Sequence, residues 1–146
     1  MAGSNRYINA TAFSWAPLPS GVAINVDGVT QVAIDPGAKS VMFKGDGDTH
    51  ASFKAVIEND PRISVRAANV LALLTIPQGV AGTVNFLLNH AKTRAGSGAI
   101  AFTATNCMRV DNSISMPHGG FAEGATTFET YSTDGVTSPI SYSVVV

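Results

Sequence analysis

The stretch GVAINVDGVTQVAI, residues Gly21 to Ile34, alternates apolar with small or polar side chains on both sides of one Asp-Gly dipeptide. A period of two is typical of β-strands, because successive side chains in a strand point to opposite faces. Asp27-Gly28 tolerates the positive φ angles of a tight turn. The stretch therefore predicts a β-hairpin with one buried face. The non-core positions of this stretch, all small or polar and uncharged, are Ala23, Asn25, Thr30 and Gln31.

Strand-like patterns continue directly after this hairpin. KSVMFKGDG, residues 39–47, predicts a third strand that ends in glycines. ASFKAVIEN and DPRISVRAA, residues 51–59 and 60–68, predict a second hairpin that turns at Asn59-Asp60-Pro61, where proline blocks a continuing ladder. Within the second half of this hairpin, Ile63 and Val65 are predicted to face the core. The residues predicted on the opposite face are Arg62, Ser64 and Arg66.

RAANVLALLTIPQG, residues 66–79, is the one segment that predicts a helix. Asn69 stands near its start, strong helix formers follow, and Pro77 with Gly79 ends it. We therefore expect a short helix at about residues 68–76, with an apolar face that plugs one end of the fold. The residues expected on that face are Val70, Leu71, Leu73 and Leu74.

Four or five further strands are predicted after the helix, with turn residues between them and a bulge in MRVDNSISM, residues 108–116. The predicted fold is all-β: a barrel or sandwich of mostly antiparallel strands with one short flanking helix. A chain of 146 residues is long enough for one domain with its own core. We expect a single domain over residues 1–146, with a flexible N-terminal segment of about residues 1–9.

The composition indicates that part of the surface is covered by a partner. Apolar residues make up 45% of the chain and charged residues 13%, which is low for a small soluble domain. Copies of the same chain are the simplest partner. The composition therefore makes an obligate oligomer plausible.

The charge distribution excludes a strongly basic surface for binding nucleic acid. Nine Lys and Arg residues stand against ten Asp and Glu residues, without any basic run. No Lys or Arg follows Arg109, so the last quarter of the chain is acidic. This quarter either forms a surface that repels nucleic acid or is an ordinary solvated face. Its acidic residues are Asp111, Glu123, Glu129 and Asp134.

Neither secretion nor membrane insertion is expected. The N-terminus lacks the apolar segment of a signal peptide, and the longest apolar run, Val70 to Ile76, is far shorter than the ~20 residues that span a bilayer. The single cysteine, Cys107, lies in a strand-like context. It is therefore expected to be a half-buried structural thiol rather than a nucleophile.

FKGDGDTHASF, residues Phe43 to Phe53, resembles a ligand loop at first sight. A calcium loop needs more oxygen ligands and a downstream carboxylate, and a phosphate loop needs a following helix, whereas the following sequence has a strand pattern. The glycines are better explained as an excursion of the chain out of a strand. His90 and His118 are expected in separate loops, and no catalytic motif is present. We expect no enzymatic activity, metal or cofactor.

Taken together, these segments resemble a known family. FKGDGDTHASFKAVIENDPRISV, the one short helix and the C-terminal SISMPHGGFAEGATTFETYSTDGVTSPISYSV are similar in order to tail tube proteins of tailed bacteriophages and related contractile injection particles. The resemblance extends over roughly Val22 to Val146. It implies a structural virion protein of which six copies form a ring, and rings that stack into a hollow tail tube. Two long hairpins of each copy would join its neighbours in one inner barrel, through which DNA passes without specific binding.

The resemblance also implies partners and contact residues. The partners would be copies of the chain itself and the sheath, baseplate and tail-terminator proteins, in a virion tail assembled in the host cytoplasm. The glycine loop would contact the adjacent subunit or ring, and the hairpin around Asp27-Gly28 would line the channel through Ala23, Asn25, Thr30 and Gln31. The loop residues expected in the contact are Lys44, Gly45, Asp46, Gly47, Asp48 and His50.

Three other functions remain open from the sequence. A tube-terminating or baseplate ring protein would share the same fold and differ in whether it polymerises. A carbohydrate-binding β-sandwich needs a platform of exposed aromatic side chains, for which the sequence offers few candidates. An enzyme with an Asp/His metal site would reveal itself by its metal content. The aromatic residues expected to be exposed are Tyr7, Trp15, Tyr131 and Tyr142.

Overall fold

A computed structural model describes residues 7–43, 45, 47, 50, 53–90 and 98–145. In this part of the chain the fold is all-β with one short helix, as the sequence predicted. The expected flexible segment of about residues 1–9 overlaps the start of the first strand at Tyr7. The elements are β1 (Tyr7–Pro17), β2 (Ile24–Val26), β3 (Val29–Asp35), β4 (Ala38–Phe43), β5 (Phe53–Asn59), β6 (Arg62–Ala67), α1 (Val70–Thr75), β7 (Gly82–His90), β8 (Ile100–Ser115), β9 (Glu123–Thr130) and β10 (Ile140–Val144).

The main sheet has the strand order β2-β1-β7-β8-β9-β6-β3, and β10 pairs with the first part of β8. All of its strand pairs are antiparallel. The strands β2 and β3 lie at opposite ends of this order, yet only Asp27 and Gly28 separate them in sequence. Because the three residue steps from Val26 to Val29 span at most about 10–11 Å, the sheet must curl until its two ends come close together. The result is a barrel-like sandwich around one core.

The hairpin predicted at Asp27-Gly28 is wrong in its pairing. The strand β2 pairs with β1, with Val26 opposite Phe13, and β3 pairs with β6. Gly28 does adopt a positive φ of 66°, so the dipeptide makes the expected sharp turn. The turn carries the chain from one end of the curled sheet to the other instead of folding it back on itself.

The second predicted hairpin is also wrong, because β5 pairs with β4 and not with β6. The strands β3, β4, β5 and β6 together form one long hairpin, whose register continues from Asp35 opposite Arg62 to Ala38 opposite Asn59. Asp60-Pro61 interrupts the ladder without reversing the chain. Here Asp60 N donates to Gly37 O at 3.2 Å. We call this interruption the elbow and the outer part, β4 and β5, the arm.

The helix α1 closes one end of the core. The side chain of Asn69 caps it by accepting from Ala72 N at 3.2 Å. Leu73 is fully buried against Gly124, where an added Cβ would lie 2.7 Å from Leu73 Cδ1. Leu71 and Leu74 are exposed, so the predicted core face is wrong for these two residues. The helix plugs the fold through fewer side chains than the sequence suggested.

Aromatic side chains fill the core between the sheet faces. Phe13 lies 6.0 Å from Phe86 and 6.1 Å from Phe128, measured between ring centroids. Trp15, which was expected to be exposed, is buried, and its Nε1 donates to Cys107 O at 3.4 Å. Cys107 is fully rather than half buried. Among the described residues no helix is long and apolar enough to cross a membrane.

Candidate functional site

Two hairpins meet side by side in the sheet and form its most polar part. The long hairpin contributes β3 and β6, and the β8–β9 hairpin contributes β9 and residues 108–115 of β8, because β6 pairs with β9. We call these four strands the polar sheet. A bulge between Arg109 and Asp111 interrupts β8 where the sequence predicted one.

The two faces of the polar sheet differ sharply in chemistry. One face packs on the core through residues such as Ile63, Val65 and Phe128, which are fully buried. Ile63 and Val65 were predicted there. The opposite face points outward, because burial alternates along β6 and β9. Its residues are Gln31, Ala33 and Asp35 of β3, Arg62, Ser64 and Arg66 of β6, Glu123, Ala125, Thr127 and Glu129 of β9, and Met108, Asp111, Ser113 and Ser115 of β8.

Most charges on this outward face are paired. Arg62 Nη2 lies 3.2 Å from Glu129 Oε1 and 3.6 Å from Asp60 Oδ2 at the elbow. Arg66 Nε lies 3.4 Å from Glu123 Oε1. The face carries two arginines against four carboxylates, so it is weakly negative. Its carboxylates are Asp35, Asp111, Glu123 and Glu129.

The polar sheet has two unpaired lateral edges in the described part of the chain. On one side, β3 pairs only with β6. On the other side, the pairing of β7 with β8 extends no further than Cys107. Beyond it, Gln78 and Gly79 bond to β8 only as far as Val110. The edge of β8 is therefore free from Asp111 to Ser115. Such edges expose backbone donors and acceptors that another strand can pair with.

The predicted channel-lining residues are all exposed, but they do not form one hairpin. Gln31 lies on the outward face of the polar sheet. Thr30 lies at a bulge beside it and donates from Oγ1 to Arg66 O at 3.2 Å. Ala23 and Asn25 lie at the opposite end of the sheet, next to β1.

The predicted contact loop lies at the tip of the arm, beyond the last pair of β4 and β5. Gly47 and His50 are exposed there, and Gly45 is half-buried. The other predicted contact residues, Lys44, Asp46 and Asp48, lie outside the described residues. Their part in an interface stays a prediction.

A second exposed loop is the one in which the sequence placed His118, but its exposed apolar side chains were not predicted. It joins β8 to β9, and it exposes Met116 and Phe121, of which Phe121 is 96% exposed. The signal was available, because the proline and two glycines of PHGGF disfavour a strand beside Phe121. This loop lies at the end of the polar sheet that is remote from the elbow.

Two ionisable groups elsewhere in the described part of the chain have shifted pKa values. Burial raises the pKa of the Cys107 thiol to about 12, which disfavours the thiolate. Hydrogen bonds donated to the Asp134 carboxylate, of which those from Thr137 contribute most, hold its pKa below the ordinary value. They also order the loop before β10. Within the described residues, no three His, Cys, Asp or Glu side chains gather into a metal-binding group.

Comparison with known proteins identifies the fold. No family model and no curated protein matches the chain. A chain of the anti-feeding prophage baseplate, in a six-fold symmetrised structure, shares the fold at a TM-score of 0.56 and 7% identity, over 98% of this chain and 95% of that chain. A chain of the anti-feeding prophage tube-terminating cap also shares the fold, at a TM-score of 0.54 and 13% identity, over 99% of this chain and 100% of that chain.

A third similar chain comes from the tail of an empty GTA particle with C6 symmetry. It has a TM-score of 0.49 and 10% identity, over 93% of this chain and 96% of that chain. At such low identities the likeness of the baseplate and cap chains shows the fold alone. The fold is one that occurs in chains of phage-like tail particles.

Proposed function

We propose that this chain is a structural subunit of a phage-like tail, six copies of which form a ring that stacks into the hollow tail tube. The observation that carries the proposal is the polar sheet with its two free edges. The fold shared with the anti-feeding prophage baseplate and cap chains supports it. The role is structural rather than enzymatic.

In the proposed ring, β3 of one copy pairs with the free edge of β8 in the next copy. The four strands of the polar sheet alternate in direction, so this new pair is antiparallel like the others. Strands lie about 4.8 Å apart, so four strands from each of six copies give a barrel about 37 Å across before tilt. Strand tilt widens the barrel further. Such a channel admits a DNA duplex.

The outward face of the polar sheet would then line the channel. Its uncharged residues are small or polar for the most part, and its net charge is weakly negative. A wall of this kind repels the phosphate backbone slightly and offers no free cationic patch to bind it. DNA would therefore pass without specific binding. Of the four residues predicted to line the channel, Gln31 is the one we place on the wall.

The remaining exposed surfaces would make the other contacts of the tail. We propose that the arm contacts the adjacent subunit or ring, together with the contact residues that the sequence predicted between Lys44 and His50. Sheath, baseplate and tail-terminator proteins would be the other partners, in a virion tail assembled in the host cytoplasm. Exposed apolar side chains such as Phe121 and Leu71 would be covered by such contacts.

An engineered disulfide tests the ring. In one copy β3 and β8 are separated by β6 and β9, so their Cα atoms lie about 14 Å apart, whereas a disulfide needs less than about 7 Å. A disulfide between Ala33→Cys and Ser113→Cys, or Ser115→Cys in its place, must therefore join two copies. We expect oxidation to give a ladder of cross-linked chains that ends at six on a non-reducing gel.

Each variant with only one introduced cysteine is the matched control and should give no ladder, because the native Cys107 is buried. Negative-stain electron microscopy of the same samples should show rings or hollow tubes. Dispersed monomers at high concentration, together with the absence of a ladder from both cysteine pairs, would contradict the proposed ring.

A ring protein at the end of a tube is the second candidate. It is favoured by the origin of the two chains that share the fold, a baseplate and a tube-terminating cap. The two roles differ in polymerisation. Long tubes formed by the purified chain would favour the tube subunit, and single rings that do not stack would favour the end component.

A further inference from the structure

The outward face of the polar sheet contains two cations among its described residues, Arg62 and Arg66, and both are held by carboxylates of β9 or the elbow. Arg62 pairs with Glu129 across the β6–β9 ladder, where the two residues are direct register partners. Arg66 pairs diagonally with Glu123, because its direct partner is Ala125. Both arginine side chains stay about half exposed.

We propose that Glu123 and Glu129 mask these two arginines, so that the face does not bind the phosphate backbone of DNA. The inference rests on the proposed function, in which this face lines the channel. It assigns the two glutamates a role beyond contributing negative charge. They occupy the guanidinium groups that would otherwise bind phosphate.

The chemistry of arginine makes such masking necessary. A guanidinium group presents a planar set of donors that fits phosphate as well as carboxylate. An arginine on a channel wall that is not paired would therefore bind passing DNA. Exposed ion pairs contribute little to protein stability, so stability alone does not explain the presence of two such pairs on one face.

The two arginines are masked to different degrees. Arg62 keeps a second carboxylate, Asp60, at 3.6 Å when Glu129 is removed. Arg66 has Glu123 as its one ion-pair partner in the described part of the chain. The substitution Glu123→Gln should therefore unmask an arginine more completely than Glu129→Gln. This order of effects distinguishes masking from a general change in net charge.

The experiment measures duplex DNA binding by the purified chain and by its assemblies. We expect no retention of the wild-type chain on a duplex-DNA column at moderate salt, clear retention of Glu123→Gln and weaker retention of Glu129→Gln. Asp27→Asn is the matched control. Asp27 is exposed and lies off the polar sheet, and its substitution removes the same charge as Glu123→Gln. Adding Arg66→Gln to Glu123→Gln should abolish the retention.

Assembled rings should amplify the effect. Six unmasked arginines around one duplex predict an affinity that falls on the order of a thousandfold between 50 and 200 mM salt. The proposal is overturned if Glu123→Gln binds DNA no better than Asp27→Asn, if the wild-type chain already binds, or if Arg66→Gln fails to reverse the gain.

The failure of this inference is distinguishable from failure of the proposed ring. The outward face is exposed in a single chain, so the column experiment does not require rings to form. Circular dichroism of each variant verifies that the fold is intact. A chain that forms rings but gains no DNA binding would leave the ring proposal standing and remove the masking role.

Discussion

The elbow between the arm and the barrel offers a sharp test of the fold. Gly37 has a φ of 56°, and a Cβ added to it would collide with the backbone carbonyl of Asp60, whose carbon would lie only 2.8 Å away. The substitution Gly37→Ala therefore forces the two sides of the elbow apart. This movement also disturbs the hydrogen bond from Asp60 N to Gly37 O.

Two effects set the expected magnitude. A left-handed backbone costs a residue with a Cβ about 1–2 kcal/mol relative to glycine. Loss of one backbone hydrogen bond adds about 1 kcal/mol. We expect Gly37→Ala to lower the free energy of unfolding by about 2–3 kcal/mol. Gly79→Ala is the matched control, because Gly79 has a φ of 76° with nothing within 4 Å of its added Cβ. It should show the backbone cost alone.

Urea unfolding of the two variants measures the difference, which should be about 1 kcal/mol. Hydrogen exchange should locate the additional loss in β4 and β5 while the barrel strands stay protected. Equal destabilisation by Gly37→Ala and Gly79→Ala would refute the argument, since it would mean that the close approach to Asp60 has no energetic consequence.

Three further predictions concern the core and one loop. Leu73→Ala should lower the free energy of unfolding by about 2–5 kcal/mol, whereas Leu71→Ala, at a 74% exposed position, should change it by less than about 0.5 kcal/mol in urea unfolding. Cys107, whose pKa burial raises to about 12, should not react with a thiol reagent at pH 8 until the chain unfolds; rapid labelling of the folded chain would contradict this. The pKa of Asp134 is lower in the folded chain than in the unfolded one, so its contribution to loop order is complete above about pH 4 and is lost at lower pH. Asp134→Asn should therefore speed amide exchange at Thr137 at neutral pH, and unchanged exchange would count against the loop geometry.

The sequence predicted strands better than it predicted their partners. Alternation placed Ile63 and Val65 on the core face correctly, because burial of one face is a local property of a strand. Pairing is not local. Asp27-Gly28 and Asn59-Asp60-Pro61 have the composition of reversing turns, yet one links opposite ends of the sheet and the other only bends a strand. Turn chemistry fixes the backbone angles and leaves the strand partner to the packing of the whole sheet.

The polar sheet could be predicted only in part for the same reason. The sequence pattern of β6 placed Arg62 and Arg66 on one face, and the alternating burial of β9 in the structure puts Glu123 and Glu129 on one face of that strand. That these faces are the same face follows from the pairing of β6 with β9. The sequence separates these two strands by more than fifty residues, so no local pattern indicated the ion pairs.

The low charge content of the chain is accompanied by large apolar side chains on the surface. Large exposed apolar side chains lie in several different elements, Leu71 in α1, Phe121 after β8 and Tyr142 in β10. A single dimer interface would cover one such region and leave the others in water. Rings that pair edge to edge, stack on one another and bind further proteins outside would cover several regions at once. This distribution of apolar surface is the one expected if the proposed rings form.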